Sequence, residues 1–350
     1  MATLFDTIKV GNLILKNRIV MAPMTRSRAD AEGLPGASTV TYYHQRASAG
    51  LIVTEATYIS PMAKGYMNTA GIHTDAQISA WRKVTEGVHD AGGKIFMQLY
   101  HVGRVALPDF LPGNALPVAP SAITAKGENF TAQGPKPFVT PRALELSEIP
   151  SVVTEFRQAT ENAIQAGFDG VELHAASGYL VQQFLSSVSN QRTDEYGGSL
   201  KNRMRFLHDV INAMVSARGP ERVGVKFSPQ MPFNDNQEPD GESDYPQIIE
   251  SLNGKGLAYI HVGKFNGVEW HDLLRPKYNG TYFAGAGLTK ESATALLAEN
   301  KADAAVFGTL FVANPDLPER FKQDALLNAP DKSTFYQGGE HGYTDYPTLP

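Results

Sequence analysis

Eight short apolar runs, separated by longer amphipathic stretches, most constrain how this chain can fold. They are Ile19–Met24, Leu51–Thr57, Lys94–Leu99, Asp169–His174, Val223–Ser228, Ala258–Gly263, Thr281–Ala286 and Ala304–Gly308. Runs rich in Val, Ile, Phe and Leu are what a parallel sheet covered on both faces requires. The stretches between them read as helices. Ser79–Ala91 stops at Gly92-Gly93, and Ser147–Gly167 opens with Pro150 in its first turn. Ser199–Ala217 and Thr289–Glu299 begin on the N-cap candidates Ser199 and Thr289. The alternation predicts an α/β protein with a (β/α)8 TIM-barrel architecture, one domain over residues 1–350. A doubly wound sheet has the same periodicity and is the structural rival.

Two segments break the alternation. Ile8–Asn17 reads as a β-hairpin turning at Gly11-Asn12, ahead of the first barrel strand. Residues 104–147, rich in Pro and Gly, read as a capping insertion after the third strand. The tail, 331–350, is rich in Gly, Pro and Tyr.

Composition narrows the chemistry. The chain has no cysteine, which removes disulfides, zinc–thiolate sites, iron–sulfur clusters and thiol nucleophiles. Redox chemistry then needs a bound organic cofactor or another metal. A formal charge of −5 disfavours a nucleic-acid partner. No apolar stretch has the length of a membrane span, and the N-terminus lacks a secretory pattern, so a cytoplasmic protein is expected.

In barrels of this kind the chemistry sits at the C-terminal strand ends. The seventh and eighth runs end in Gly285-Ala286-Gly287 and Gly308-Thr309, a candidate phosphate cradle of small residues before helices. The fourth ends in His174-Ala175-Ala176-Ser177-Gly178-Tyr179. His174 and Ser177 can hold a carbonyl oxygen, and Tyr179 can deliver a proton. Equally, His174 can satisfy a backbone carbonyl and Tyr179 can pack at a helix start. Gln98 can meet the edge of a heteroaromatic ring or be a satisfied core amide. Lys226, inside an apolar strand, needs an anion or a carboxylate partner such as Glu172.

These motifs, taken in order, resemble the old yellow enzyme family of FMN-dependent ene-reductases. The resemblance runs through Lys16-Asn17-Arg18-Ile19, Met21-Ala22-Pro23-Met24-Thr25-Arg26, Gln98-Leu99-Tyr100-His101-Val102-Gly103-Arg104 and Asp169-Gly170-Val171-Glu172-Leu173-His174. It continues through Asp194-Glu195-Tyr196-Gly197-Gly198, Ala313-Asn314-Pro315-Asp316-Leu317 and Gly342-Tyr343-Thr344-Asp345-Tyr346-Pro347. It implies FMN at the barrel mouth, lined by Pro23, Met24 and Thr25, with Ala56 and Gln98 at the ring edge. Lys226 would supply a cation there, and Ala286, Gly287, Gly308 and Thr309 would hold the phosphate. His174 also borders the ring. His174 and Ser177 would bind the substrate oxygen, Tyr100 and Tyr343 would border the substrate, and Tyr179 would be the proton donor. NADPH or NADH would give hydride, and an activated alkene (enone, enal, maleimide or nitroalkene) would receive it.

Four positions depart from the family pattern. Ser177 stands where Asn or His is usual, Tyr100 for Trp, Lys226 for Arg and Thr309 for Arg. Ser reaches less far, Tyr gives a more polar wall, Lys loses the planar fork, and Thr removes a guanidinium clamp. Two other functions share the motifs: a flavin-free phosphate-binding barrel lyase or isomerase, and an FMN protein with weak ene-reductase activity. The sequence leaves monomer and homodimer both open.

Overall fold

The structure, a computed structural model, describes residues 2–350. All eight predicted runs form strands, and they close into one parallel barrel. In chain order the barrel strands are β3 (Ile19–Met21), β4 (Leu51–Tyr58), β5 (Ile95–Tyr100), β10 (Gly170–Ala175), β11 (Val223–Phe227), β12 (Tyr259–Gly263), β13 (Tyr282–Gly285) and β14 (Ala304–Phe307). Strand β14 pairs with β3 through Ala305 opposite Ile19, and that pairing closes the cylinder. A doubly wound sheet is thereby excluded. The strand β3 ends three residues before the predicted Met24. Pro23 has no N–H for the ladder, and the chain peels off the rim there.

Between the strands lie the helices α1 (Ala37–Gln45), α2 (Asp75–Asp90), α3 (Ile149–Gln165), α4 (Leu180–Leu185), α5 (Leu200–Arg203), α6 (Arg205–Arg218), α7 (Gly241–Glu250), α8 (Trp270–Leu274), α9 (Lys290–Ala298), α10 (Thr309–Ala313) and α11 (Leu317–Lys322). Helix α2 begins four residues before the predicted Ser79. The capping box between Thr74 and Gln77, rather than the apolar periodicity, fixes its start. Ser199 and Thr289 are N-caps as expected, each accepting a backbone N–H. The predicted helix 199–217 is divided at Met204, and Gly219 at φ 89° ends it. Helix α7 carries Pro246 in its interior, which masked its pattern in the sequence.

The hairpin is present as β1 (Ile8–Val10) and β2 (Leu13–Leu15). Its buried Val10 and Leu15 plug the N-terminal end of the barrel against Val20, Leu51, Phe96, Tyr259 and Phe283. Each such side chain contributes roughly 1.5–3 kcal/mol by leaving water. Gly11, at φ 56°, is required, since a Cβ there would lie 2.0 Å from the carbonyl oxygen of Glu221.

The insertion 104–147 forms a parallel pair, β6 (Val118–Ala119) with β9 (Arg142–Ala143), and a hairpin, β7 (Glu128–Thr131) with β8 (Gly134–Pro137). Asn129 Nδ2 donates to the carbonyl of Gly65 at 2.6 Å and pins the hairpin beside the loop after β4. The tail is clamped by two arginines from the loop after β3. Arg26 donates to the carbonyls of Phe335 and Gly342 at 2.9 and 2.8 Å, and Arg28 to that of Thr334 at 2.8 Å. Among the described residues, no helix is long and apolar enough to cross a membrane, and no cluster of His, Asp or Glu could hold a metal.

Candidate active site

The barrel strands end on one rim, and the candidate residues are distributed around it. Pro23, Met24 and Thr25 leave β3 half-buried. Strand β4 carries an irregularity between Val53 and Ala56 in its pairing with β5. An extra residue there re-aims the following side chains, and Ala56 comes to lie opposite Gln98. Glu55, inside that irregularity, is buried, and burial raises its carboxyl to about 7, opposed by the backbone N–H and charge of Arg26.

Gln98 is a buried amide whose Nε2 donates to Glu172 Oε1 at 2.7 Å. The satisfied-amide reading holds at the nitrogen, and no protein group among the described residues donates to the amide oxygen. Lys226 pairs in register with His174 on one side and His261 on the other. The expected ion pair between Lys226 and Glu172 does not form. Glu172 instead accepts from Gln98, Tyr259 and His261, at 2.7, 3.1 and 3.3 Å. The Lys226 ammonium has no ion-pair partner among the described residues, and burial lowers its pKa. A half-buried cation without an anion is a place for an anionic or electron-rich ligand.

The phosphate candidates meet at the edge of the rim. Ala286 and Gly287 are consecutive left-handed residues, at φ 73° and 68°. Two such residues in a row make a tight turn, and turns of this kind can offer backbone N–H groups to an anion. A Cβ on Gly287 would meet nothing within 4 Å, so the turn opens to space. Gly308 and Thr309 start α10, with Thr309 exposed and Gly308 beside Met24 Sδ. Arg46, fully buried, donates to the carbonyls of Phe311 and Val312 at 2.9 and 2.8 Å and so holds α10 in place.

Around the ends of β4, β5 and β10 lies a set of four rings. The His174 and Tyr179 rings meet edge to face at 4.9 Å, and Tyr100 and Tyr179 likewise at 5.2 Å. The Tyr179 hydroxyl is 3.0 Å from that of Tyr66. Burial, then the neighbouring Tyr66 and Tyr100, hold the Tyr179 phenol well above its ordinary pKa, so it keeps its proton. His174 is held well below the ordinary histidine range by burial and by the Lys226 and His261 charges. It is therefore neutral, and its Nδ1 is buried without a partner. The backbone-satisfying role weighed for His174 is not seen at that nitrogen. A neutral imidazole and a protonated phenol side by side can hold a carbonyl oxygen and deliver a proton.

Ser177 reaches this site by a different route from the expected one. It has φ 58°, and its N–H donates to Ser228 Oγ at 2.8 Å. Its own hydroxyl faces Met231 Sδ at 3.9 Å. Tyr343 does not join the four rings. It is fully buried in the tail clamp, stacked on Tyr42 at 4.2 Å, with its hydroxyl unpartnered.

The sequence reading missed Tyr66 and Asn234. Tyr66 lies in the loop after β4, which carries no motif. Asn234 lies in the loop after β11, at φ 57°, and donates to the carbonyl of Ser177 at 2.8 Å. Its amide also acts on the Tyr66 and Tyr179 hydroxyls. A Cβ on Gly178 would lie 2.9 Å from the Cβ of Asn234, so Gly178 is what lets that loop close over the site.

The residues fit a flavin nucleotide: a left-handed turn open to an anion at the edge, an unpaired cation at the rim, an amide oxygen without a protein donor, and unpartnered polar atoms on Tyr100 and His174. The family described as "NADH:flavin oxidoreductase / NADH oxidase" matches residues 3–328. A probable flavin mononucleotide-dependent alkene reductase of Leishmania infantum is 44% identical, over 97% of this chain and 96% of that protein. 12-Oxophytodienoate reductase 1 of Oryza sativa subsp. japonica is 42% identical, over 99% and 93%. The structure of morphinone reductase in complex with tetrahydroNAD superposes with a TM-score of 0.96 at 45% identity, covering 100% of this chain and 98% of that one. The old yellow enzyme homologue from Zymomonas mobilis gives 0.97 at 39% identity, covering 99% and 100%.

Proposed function

Because this chain belongs to the NADH:flavin oxidoreductase / NADH oxidase family, that of the old yellow enzymes, we propose that it is an FMN-dependent ene-reductase using NADPH or NADH. It is an oxidoreductase by family. The observation that carries the finer reading is the neutral His174 set against the protonated Tyr179, beside an unpaired Lys226. The family match, rather than this combination, sets the reading apart from a flavin-free lyase or isomerase.

FMN, when bound, would supply the two-electron chemistry of hydride transfer from a nicotinamide donor to the β-carbon of an activated alkene. The protein supplies everything else. The backbone of Ala286, Gly287, Gly308 and Thr309 would hold the phosphate. Pro23 and Met24 would line the ring, and Thr25, Ala56 and Gln98 would meet its edge. Lys226 would set a positive charge there. His174 donates a hydrogen bond to the carbonyl or nitro oxygen and draws electron density from the double bond. Ser177 supports that contact through the segment it fixes. Tyr100 walls the pocket, and Tyr343 backs it through the clamp. Tyr179 gives its proton to the α-carbon and regains one through Tyr66, whose hydroxyl lies 3.0 Å away. One hydride and one proton thus saturate the double bond. The partners are small molecules, and the setting is cytoplasmic in this reading.

The test is isotopic. With 2-cyclohexenone and a nicotinamide donor deuterated at the transferred position, deuterium is expected at the β-carbon of the product. Running the reaction in D2O with unlabelled donor is expected to place deuterium at the α-carbon. The opposite placement would refute the roles. A protein that takes up FMN but turns over alkenes slowly is the second reading. The Ser177 hydroxyl facing Met231 Sδ favours it, and the same assay distinguishes it by rate.

A further inference from the structure

Beneath the rim, Glu172 has no exposed surface, yet three donors from two other barrel strands converge on it. Gln98 Nε2 on β5 meets Oε1 at 2.7 Å, while Tyr259 OH and His261 Nδ1 on β12 meet Oε2 at 3.1 and 3.3 Å. The intervening strand makes this possible. Gly224 of β11 pairs with both Glu172 and Tyr259, and a Cβ on Gly224 would lie 2.4 Å from the Tyr259 ring. Glycine there lets the tyrosine cross β11 to the carboxylate. A buried carboxylate with three donors stays ionised and acts only as an acceptor.

Consequences follow for each partner. Gln98 spends its amide nitrogen downward, so its oxygen is turned up toward the rim. His261 must carry its proton on Nδ1 to donate. Lys226, two residues along from Gly224, lies in the carboxylate's field, which makes its charge less costly to keep.

We propose that Glu172 is the positioning residue of the cofactor site, fixing the Gln98 amide oxygen outward, the His261 Nδ1–H tautomer and the charge of Lys226 together. The inference rests on the flavin reading. It adds that the electronic setting of the ring is fixed by a carboxylate that never touches it.

The test compares Glu172→Gln with Glu172→Asp in the full-length protein loaded with FMN. Removing the buried negative charge makes the surroundings of the ring more positive and favours the reduced, more negative cofactor. The reduction equilibrium is expected to shift by about tenfold, which is ~30 mV for a two-electron couple. Glu172→Asp keeps the charge and is expected to return most of that shift. A folded Glu172→Gln protein with the wild-type potential would overturn the proposal. Should that variant not fold, the wild-type protein still decides through the 15N spectrum of its histidines. The signal lost in His261→Gln is expected to report a proton on Nδ1, and a proton on Nε2 would overturn the proposal. That readout needs no FMN. A chain that fails to bind FMN would refute the flavin reading and leave the tautomer result standing.

Discussion

Replacing Tyr179 with Phe removes one hydroxyl from a site whose remaining geometry is held by ring packing. The Tyr179 ring is 8% exposed and touches His174 and Tyr100 edge to face, and Phe keeps those contacts. The structural loss is the bond between the Tyr179 and Tyr66 hydroxyls, about 1 kcal/mol. In a chain of this size that lowers Tm by about 2 °C, so the variant folds. The chemical loss is larger. A positioned general acid contributes roughly 100- to 10,000-fold, or about 3–5 kcal/mol of barrier. Anaerobic stopped-flow separates the two halves of the cycle. Bleaching of the yellow band by NADPH is expected to keep its rate, because that step needs no proton from Tyr179. Return of the band with cyclohexenone is expected to slow by at least about 100-fold. Burial holds the Tyr179 phenol well above its usual pKa, so the wild-type return rate is expected to show no loss from its ionisation up to about pH 9. Equal slowing of both halves, or of neither, would refute the proton-donor role.

Other perturbations probe other parts of the account. Ser177→Asn is expected to raise cyclic-enone turnover about 10-fold by reaching further toward the substrate oxygen; Asn tolerates the φ of 58° at least as well as Ser. An unchanged or lower rate would count against an oxygen-binding role at that position. Thr309→Arg is expected to tighten FMN at least about fivefold in an equilibrium titration, since a guanidinium at this exposed helix start can pair with phosphate; unchanged affinity would place the phosphate elsewhere. His101 is buried, accepts from the N–H of Gly103 at 3.0 Å, and is lowered by burial to about 3. The folded state therefore binds its proton less readily than the unfolded state, and stability falls as pH drops below about 6.5. The cost reaches about 2 kcal/mol at pH 5, and His101→Gln is expected to flatten that part of a Tm-against-pH curve.

Strands were the most legible part of this fold, because each is mostly apolar and must be buried on both faces. The boundaries that moved did so for local reasons. Pro23 cut β3 short, and the box between Thr74 and Gln77 started α2 early. Helix α7 was hidden by Pro246. Within the site, His174 and Tyr179 were readable because they follow one strand end closely. Tyr66 and Asn234 were not, since they come from loops after β4 and β11 and reach Tyr179 and the Ser177 carbonyl only in three dimensions. The carboxylate expected to pair with Lys226 was the right residue with the wrong partners. Strand register, invisible in a linear sequence, gives Glu172 to Gln98, Tyr259 and His261 instead. Tyr343 follows the same pattern, because its stacking on Tyr42 depends on how the tail folds back over Arg26.

The most direct test of the central claim is the visible spectrum of the purified protein, followed anaerobically through addition of NADPH and then cyclohexenone. The account predicts flavin bands that bleach with the donor and return with the alkene. A colourless protein that takes up no added FMN, or bands that bleach and never return with any activated alkene, would contradict it.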